Sequence, residues 1–247
     1  MLPITSLQNP QVKLIRSLAD KKARREHGLF VAEGLQMLER ALDLGWKPET
    51  LVATKPQHLW DDVKPLIVSD KLMGELSGQN NPLSVLATFK QRFQPHPGKA
   101  GTWLALEEIR DPGNLGTIIR TADAANASGI VLVGDCCDPY SPECVRATTG
   151  SIFAMPIARM PQKQFVDFIK SWPGESIATV MGAKADYRRA YKSPALIALG
   201  SESRGLSADV AAACATKVSI PMRQGVESLN VATTAAILLY EIYPQSP

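Results

Sequence analysis

The chain has 247 residues, enough for one large domain or two modest ones that each bury a core. Hydrophobic residues make up 45% and charged residues 21% of it, and its apolar runs are short, so we expect a soluble protein without a membrane span. The net charge of +3 neither requires nor excludes nucleic acid, and the lack of a charged-then-apolar signal pattern at the N-terminus favours a cytoplasmic location.

The first part of the chain is predicted to be a small α/β domain followed by a linker. Helical patterns and short apolar runs alternate in the order 10–25, 29–32, 35–44, 50–53, 65–68 and 85–89. Two prolines and two glycines within 94–101 resist both helix and strand. We therefore predict a first domain over 1–94 and a linker over 95–101.

The remaining residues, 102–247, are predicted to form an α/β domain with a mostly parallel sheet. The predicted strands are 102–109, 130–134, 176–181, 195–200 and 217–220. The predicted helices are 115–126, 142–147, 162–172, 208–215 and 229–243. Short apolar strands that alternate with helices are typical of a parallel sheet covered by helices on both faces.

A basic run lies near the N-terminus. It consists of Lys13, Arg16, Lys21, Lys22, Arg24 and Arg25, against a single acid at position 20. If residues 10–23 are helical, Val12 and Ile15 lie on an apolar face, and Lys13, Arg16 and Arg24 lie on the opposite face. Such a face can bind RNA phosphates, and it can equally be the solvated side of a surface helix.

Three blocks of small and polar residues follow predicted strands of the second domain. They are 111–116 with Arg120, 199–206, and 218–222 with 227–231. In open parallel sheets, ligands bind beyond the carboxyl ends of the strands, where all three blocks fall. Each block alone could be a turn or a helix cap, with Asn114 capping one helix and Ser228 another, but their coincidence favours a functional site.

The residue types missing from the second domain exclude several kinds of enzyme. Residues 201–205 partly resemble the nucleophile motif of a serine hydrolase, which needs a histidine later in the chain as its general base. All three histidines lie at or before position 96, so no such base is present. No histidine, cysteine and carboxylate cluster has metal spacing, and the four cysteines are predicted to be reduced structural thiols. The nicotinamide and phosphate-loop fingerprints are also missing. Methyl transfer from S-adenosylmethionine remains, because the cofactor itself carries the reactive group.

In their order and spacing, the three blocks resemble the motifs of the SpoU-type, TrmH-like RNA ribose 2′-O-methyltransferases of the SPOUT superfamily. The resemblance covers essentially the whole chain, with Ser203 in place of a common glycine and Ala232 in place of a common serine. It implies an α/β fold with a trefoil knot in the C-terminal domain and a homodimer with the site at its interface. It also implies S-adenosylmethionine as cofactor, an RNA ribose 2′-hydroxyl as acceptor, and no metal.

The same resemblance assigns roles to single residues. The catalytic residues it implies are Asn114, Arg120, Glu202 and Asn230. The cofactor-binding residues it implies are Leu199, Gly200, Ile220, Met222, Ser228 and Leu229. Arg120 is the general base in one family proposal, but a guanidinium with a pKa above about 12 hardly deprotonates, so anchoring a phosphate or the developing alkoxide is an equal alternative.

The first domain resembles the RNA substrate-binding domain that is fused to many such enzymes. The resemblance is carried by residues 9–13, the basic run and residues 29–34. This domain favours ribosomal RNA slightly over transfer RNA as the substrate. Two alternatives stay open: a non-catalytic RNA-binding or ribosome-assembly factor, and an unrelated α/β enzyme that acts on a small molecule.

Overall fold

The computed structural model describes residues 3–79, 81–201, 203–226 and 228–243. Contacts divide the chain into two compact units, each described within these ranges. The N-terminal unit comprises residues 1–91 together with 138–154, and the C-terminal unit comprises residues 92–137 and 155–247. The sequence-based bounds of 1–94 and 102–247 divide the chain only once, whereas the contacts assign an internal segment, 138–154, to the N-terminal unit.

The elements are numbered in chain order. The helices are α1 Pro10–Ser17, α2 Lys21–His27, α3 Leu35–Asp43, α4 Asp70–Ser77, α5 Pro112–Ala124, α6 Pro142–Thr148, α7 Gln162–Lys170, α8 Ala208–Ala213 and α9 Val231–Ile242. The strands are β1 Leu29–Glu33, β2 Thr50–Ala53, β3 Leu66–Ile67, β4 Val85–Lys90, β5 Thr102–Glu107, β6 Gly129–Val133, β7 Ile157–Met160, β8 Glu175–Thr179, β9 Ala185–Asp186, β10 Ala195–Leu199 and β11 Thr216–Ser219. A 3₁₀ helix spans Ser151–Phe153.

The N-terminal unit is built on a four-stranded sheet in the order β1-β4-β2-β3. Strand β4 runs antiparallel to both β1 and β2, while β3 runs parallel to β2. Helix α6 packs on β1, and Tyr140 and Phe153 beside it enter an aromatic core. The ring centroids of Phe30 and Tyr140 are 4.6 Å apart, and those of Phe89 and Phe153 are 4.9 Å apart. The segment 138–154 is therefore an integral part of this core.

The predicted single helix over 10–25 is wrong, because the chain forms two helices with a turn between them. Helix α1 ends at Ser17, and α2 begins at Lys21. The Asp20 carboxylate accepts hydrogen bonds from the backbone N–H of Lys22 at 2.7 Å and of Ala23 at 3.3 Å. An aspartate cap of this kind supplies the acceptors that the first turn of a helix lacks, so it starts a new helix inside the basic run.

The C-terminal unit contains a seven-stranded sheet in the order β7-β6-β5-β10-β8-β11-β9. Every pair of neighbouring strands in it is parallel, which confirms the predicted α/β class. All residues of β6 and β10 are buried, as expected of central strands covered on both faces. Helices α7 and α8 pack against each other, and α5 packs against α9. No helix in the described ranges is long and apolar enough to span a membrane.

Candidate active site

A cavity of about 400 Å³ opens at the carboxyl ends of β8, β10 and β11. Its walls come from the segments that follow these three strands, together with residues of α8 and α9. The structure places all six sequence-predicted cofactor residues in these walls, namely Leu199, Gly200, Ile220, Met222, Ser228 and Leu229. Residues that are dispersed over thirty positions of sequence thus share one pocket because the strands before them are neighbours in a parallel sheet.

The loop after β10 folds back tightly on its own start. Ser201 and Gly205 form a bridge, with the Gly205 N–H donating to the Ser201 carbonyl at 2.8 Å. A Cβ atom on Gly200 would lie 2.0 Å from the carbonyl carbon of Gly205 and 2.1 Å from the amide nitrogen of Leu206. Only glycine can occupy position 200 without opening this loop, and the loop forms one wall of the cavity.

The pocket has the size and chemistry of a site for an elongated organic cofactor. Ligand pockets commonly enclose about 300–1,000 Å³ and are mostly apolar with a few polar groups. Here Leu206, Ile220 and Leu229 supply apolar surface, while the hydroxyl-bearing Ser228 and Thr234 stand among them. S-adenosylmethionine combines an adenine ring with a polar amino-acid moiety, so these residues fit it. Across the described part of the chain, no group of three or more histidine, cysteine or carboxylate side chains could hold a metal ion.

Asn114 and Asn230 are brought together by the packing of α5 on α9. The Asn230 amide nitrogen Nδ2 donates to Asn114 Oδ1 at 3.0 Å. Asn230 Oδ1 also caps α9 by accepting from the N–H groups of Ala232 at 2.8 Å and Thr233 at 3.3 Å. Asn230 is therefore held from both ends of its amide, and the first and third sequence blocks meet at this hydrogen bond.

Two capping alternatives from the sequence are wrong. Asp111 caps α5, with its Oδ1 accepting from the Asn114 N–H at 2.6 Å, and Asn114 itself lies in the first turn of the helix. The cap of α9 is Asn230, so Ser228 does not cap it. Ser228 lies in the pocket wall, and the Asn114 side chain accepts a hydrogen bond from Asn230.

Arg120 lies on α5 with Asn114 but faces another direction. Arg120 lies six positions after Asn114, which places the two side chains about 120° apart around the helix axis. Arg120 is exposed, next to the exposed Thr117, whereas Asn114 turns toward α9. Within one chain, the hydrogen bond from Asn230 joins Asn114 to the third block, and Arg120 lies on an exposed part of the same helix. The remaining predicted catalytic residue, Glu202, lies outside the described residues.

The basic run separates into two kinds of residue. Lys13, Arg16, Lys21, Lys22 and Arg25 are exposed. Arg24 is only 3% exposed, and its Nε and Nη2 each lie 2.9 Å from Asp138 Oδ2. Its Nη1 donates to the carbonyls of Leu18 and Ala19, both at 2.8 Å. Placing Arg24 on the solvated face was therefore an error of the single-helix prediction, and Arg24 has the environment of a structural residue.

The sequence reasoning missed the wall formed by Thr179, Val180 and Met181. They are the last residue of β8 and the two residues after it, and β8 lies between β10 and β11 in the sheet. They contain no glycine and no charged side chain, so no local pattern distinguishes them. Only the strand order, which brings β8 between the two motif-bearing strands, identifies them as part of the pocket.

The four cysteines lie away from the cofactor pocket walls and are all free thiols. Burial raises the pKa of the Cys136 thiol, and it raises that of Cys214 to about 12. A thiol with a raised pKa stays protonated near neutral pH and is a poor nucleophile. This environment is that of structural cysteines.

Comparison with known proteins supports the same assignment over the whole chain. Residues 101–240 match the SpoU rRNA methylase family, and residues 9–87 match the MRM3-like substrate binding domain. The chain is 30% identical to the 23S rRNA (guanosine(2553)-2′-O)-methyltransferase RlmP of Bacillus subtilis, covering 98% of this chain and 99% of that one. It is 28% identical to the 23S rRNA (uridine(2479)-2′-O)-methyltransferase of Streptomyces viridochromogenes, covering 92% and 87%.

A solved structure extends the likeness to three dimensions. The AdoMet-bound rRNA methyltransferase of Sinorhizobium meliloti superimposes with a TM-score of 0.92 at 40% identity, over 100% of this chain and 98% of that one. The matched regions include the three segments that form the pocket and the helix pair that joins Asn114 to Asn230. The chain therefore belongs to the SpoU rRNA methylase family, the S-adenosylmethionine-dependent RNA methyltransferases, with an MRM3-like substrate-binding domain ahead of its methylase domain.

Proposed function

We propose that this protein transfers the methyl group of S-adenosylmethionine to a ribose 2′-hydroxyl of ribosomal RNA. The observation that carries the proposal is the pocket of about 400 Å³ formed by three strand-end segments, with all six expected cofactor residues in its walls. The relatives named as 23S rRNA methyltransferases support ribosomal RNA over transfer RNA. They act on different nucleotides, so the proposal names the substrate class and not the base.

In this proposal the protein positions the reactants and stabilises charge. When bound, the cofactor would supply an electrophilic methyl group: the 2′-oxygen would form a bond to the methyl carbon as the carbon–sulfur bond breaks, S-adenosylhomocysteine would leave, and the hydroxyl proton would pass to water. The loop folded on Gly200 and the apolar side chains of Ile220 and Leu229 hold the donor and exclude water. The hydrogen bond from Asn230 fixes the amide of Asn114 beside the pocket. Arg120 stabilises the developing alkoxide and the neighbouring phosphate, because a guanidinium keeps its positive charge and has no lone pair ready to accept the proton.

We place the active site at the interface of a homodimer. Arg120 is exposed and lies about 120° around α5 from Asn114, and in this proposal the partner subunit presents its arginine to each pocket. Tyr240 of α9 and Tyr243 just after it are 51% and 46% exposed, and their rings contact each other with centroids 6.2 Å apart, so they offer a small aromatic surface to a partner subunit. A twofold dimer uses the same surface on both subunits, as this arrangement requires.

Mixing two inactive variants tests the shared site. Arg120→Ala and Asn230→Asp would each abolish activity alone, but a mixed dimer would contain one intact site. After unfolding and refolding an equimolar mixture, half of the dimers are mixed, so about a quarter of the wild-type activity should return. A mixture as inactive as its components would show that each site is built from one chain. Light scattering of the mixture checks that dimers have formed.

The N-terminal unit is the RNA-binding domain in this proposal. Its exposed cations Lys13, Arg16, Lys21, Lys22 and Arg25 provide a surface for phosphates. Each phosphate contact that is lost should lower the slope of log affinity against log salt by about one. The double variant Lys21→Ala/Lys22→Ala should therefore bind ribosomal RNA more weakly and with a smaller salt slope. An unchanged slope would remove these lysines from the interface.

The activity itself is tested with radiolabelled S-adenosylmethionine and ribosomal RNA from cells that lack the gene. Label should enter one ribose of ribosomal RNA and not transfer RNA, and it should be lost with Arg120→Ala. Arg188→Ala is the matched control, because Arg188 is also exposed and lies in the same unit, paired with Asp186. RNA binding without cofactor binding or methyl transfer would instead identify a non-catalytic RNA-binding factor.

A further inference from the structure

A buried carboxylate lies behind the pocket wall. Glu107 is the last residue of β5 and is only 5% exposed. Alternate residues of a strand point to the same face, so Glu107 shares its face with Trp103 and Ala105, which lie in the apolar cluster under α7 and α8. Glu107 does not line the pocket. Burial of a carboxylate is unfavourable unless hydrogen bonds compensate for the lost water, so its partners identify what it stabilises.

Three donors converge on this carboxylate. The backbone N–H of Ser207 donates to Oε2 at 2.8 Å, and the Ser207 hydroxyl donates to Oε1 at 2.7 Å. The Gln162 amide nitrogen Nε2 donates to Oε1 at 3.1 Å and to the Ser207 hydroxyl oxygen at 2.7 Å. Ser207 in turn caps α8 by accepting from the Val210 N–H. Glu107 thereby fixes both the backbone and the side chain of Ser207.

Ser207 marks the end of the loop that forms the pocket wall. The loop starts after Leu199, which pairs with Leu106 of β5, and it ends at Ser207, which is bound to Glu107 of β5. Both ends of the loop 200–206 are thus attached to two consecutive residues of one strand. Because Gly200 is packed against Gly205 and Leu206, a shift at the Ser207 end moves the pocket wall directly.

We propose that Glu107 is a positioning residue for the cofactor pocket, acting through Ser207 to fix the loop that contacts the methyl donor. The inference rests on the proposed function only in taking S-adenosylmethionine as the occupant of the pocket. At position 107, only a carboxylate can accept hydrogen bonds from all three of these donors. Its two oxygens accept from all three donors, whereas a glutamine has one carbonyl oxygen and would direct its NH₂ group at one of them.

The experiment compares Glu107→Gln with Glu175→Gln in the full-length protein. Glu175 is a matched control, since its side chain is 10% exposed and it lies in the same sheet. Its carboxylate is bound to Arg189, to the Thr216 hydroxyl at 2.9 Å and to the Lys192 N–H at 3.1 Å. It stands at the first residue of β8, the end of the sheet away from the pocket. Both changes disturb a buried, hydrogen-bonded carboxylate, and only one disturbs the loop.

The first measurement is direct binding of S-adenosylhomocysteine by calorimetry, beside the melting temperature of each variant. Both variants should melt at a lower temperature than the wild type. Only Glu107→Gln should weaken binding, by about tenfold, the effect expected when one hydrogen bond to a charged group is lost. In steady-state kinetics, KM for S-adenosylmethionine should rise similarly, while kcat at saturating donor and KM for RNA should stay within about twofold.

The outcomes separate the two proposals. If Glu107→Gln binds S-adenosylhomocysteine as tightly as Glu175→Gln does, Glu107 is a stabilising residue only, and the inference is overturned. If the wild type itself fails to bind, the proposed function is overturned together with the inference. If the Glu107 variant does not fold, Gln162→Ala tests the same hydrogen bonds. Gln162 is exposed, so its replacement should be tolerated, and it supplies one of the three donors to Glu107. Gln162→Ala should weaken binding by about threefold, and unchanged binding there would also contradict the role.

Discussion

The buried pair of Arg24 and Asp138 gives a prediction that separates a structural arginine from the neighbouring cations proposed to bind RNA. Replacing Arg24 with methionine keeps the length of the side chain and removes its charge. Asp138, 8% exposed, would then lose its ionic partner, and the carbonyls of Leu18 and Ala19 would lose their donor. Breaking a buried ion pair by removing one partner destabilises a protein by about 3–5 kcal/mol.

Counting the contacts that Arg24 would lose gives a similar loss in the free energy of unfolding. Arg24 makes four polar contacts between 2.8 and 2.9 Å, namely a hydrogen bond and an ion-pair contact to Asp138 Oδ2 and hydrogen bonds to two backbone carbonyls. At about 1 kcal/mol net for each, the loss is about 4 kcal/mol. The neighbouring Arg25 is exposed, and Arg25→Met should change the free energy of unfolding by less than about 0.5 kcal/mol.

Hydrogen exchange followed by mass spectrometry is the appropriate assay, since it resolves peptides of β1 and α6 in the intact protein. The opening free energy of these peptides should fall by about 3–5 kcal/mol in Arg24→Met. The double variant Arg24→Met/Asp138→Asn should recover part of the loss, because no unpaired charge is left. An opening free energy within about 0.5 kcal/mol of the wild type for Arg24→Met would refute the reasoning.

Three further predictions concern the C-terminal unit. Asn230→Asp should keep the cap of α9 but lose the donor to Asn114, so methyl transfer should fall while the free energy of unfolding is retained. Asn230→Ala removes the cap as well, so it should also lower the free energy of unfolding in urea by about 1 kcal/mol. Equal stability of the two variants would contradict the capping role. Gly200→Ala should abolish S-adenosylhomocysteine binding in calorimetry, while Gly182→Ala, where a Cβ meets nothing within 4 Å, should bind normally despite its positive φ. Because burial raises the pKa of Cys214 to about 12, this thiol stays protonated at pH 8, and iodoacetamide should modify it much more slowly in the folded protein than in urea. Similar rates in both states would be inconsistent with that pKa.

The sequence predicted the parallel sheet because its strands are short apolar runs between amphipathic helices. The strands it missed lack that signal. Strand β9 is only Ala185–Asp186, and β7 contains the exposed Arg159 on the outer edge of the sheet. Helix α4 was missed although Ser69 caps it, because the pattern of Asp70–Ser77 is short and contains a glycine. Edge elements have one solvated side, so their hydrophobic periodicity is weak.

Those parts of the site that consist of residues close together in sequence were predictable. The parts that depend on contacts between residues far apart in sequence were less so. The six predicted cofactor residues lie within two motifs, and the strand order gathers them in one pocket. The burial of Arg24 depends on Asp138, 114 positions away, and no local pattern indicates that contact. Glu107 likewise binds Ser207, which lies 100 positions later along the chain. Long-range polar pairs of this kind leave no periodic trace in a single sequence.

The segment 138–154 has a consequence for building chimeras. It leaves the C-terminal unit after β6 and returns before β7, and in between it contributes Tyr140 and Phe153 to the N-terminal core. The Trp46 indole N–H donates to the Phe153 carbonyl at 2.9 Å, which ties backbone as well as side chains to that core. Anyone who exchanges the substrate-binding domain of this enzyme for another must therefore redesign a second stretch of chain inside the methylase region. Grafting at the linker alone would leave two aromatic side chains without the partners that bury them.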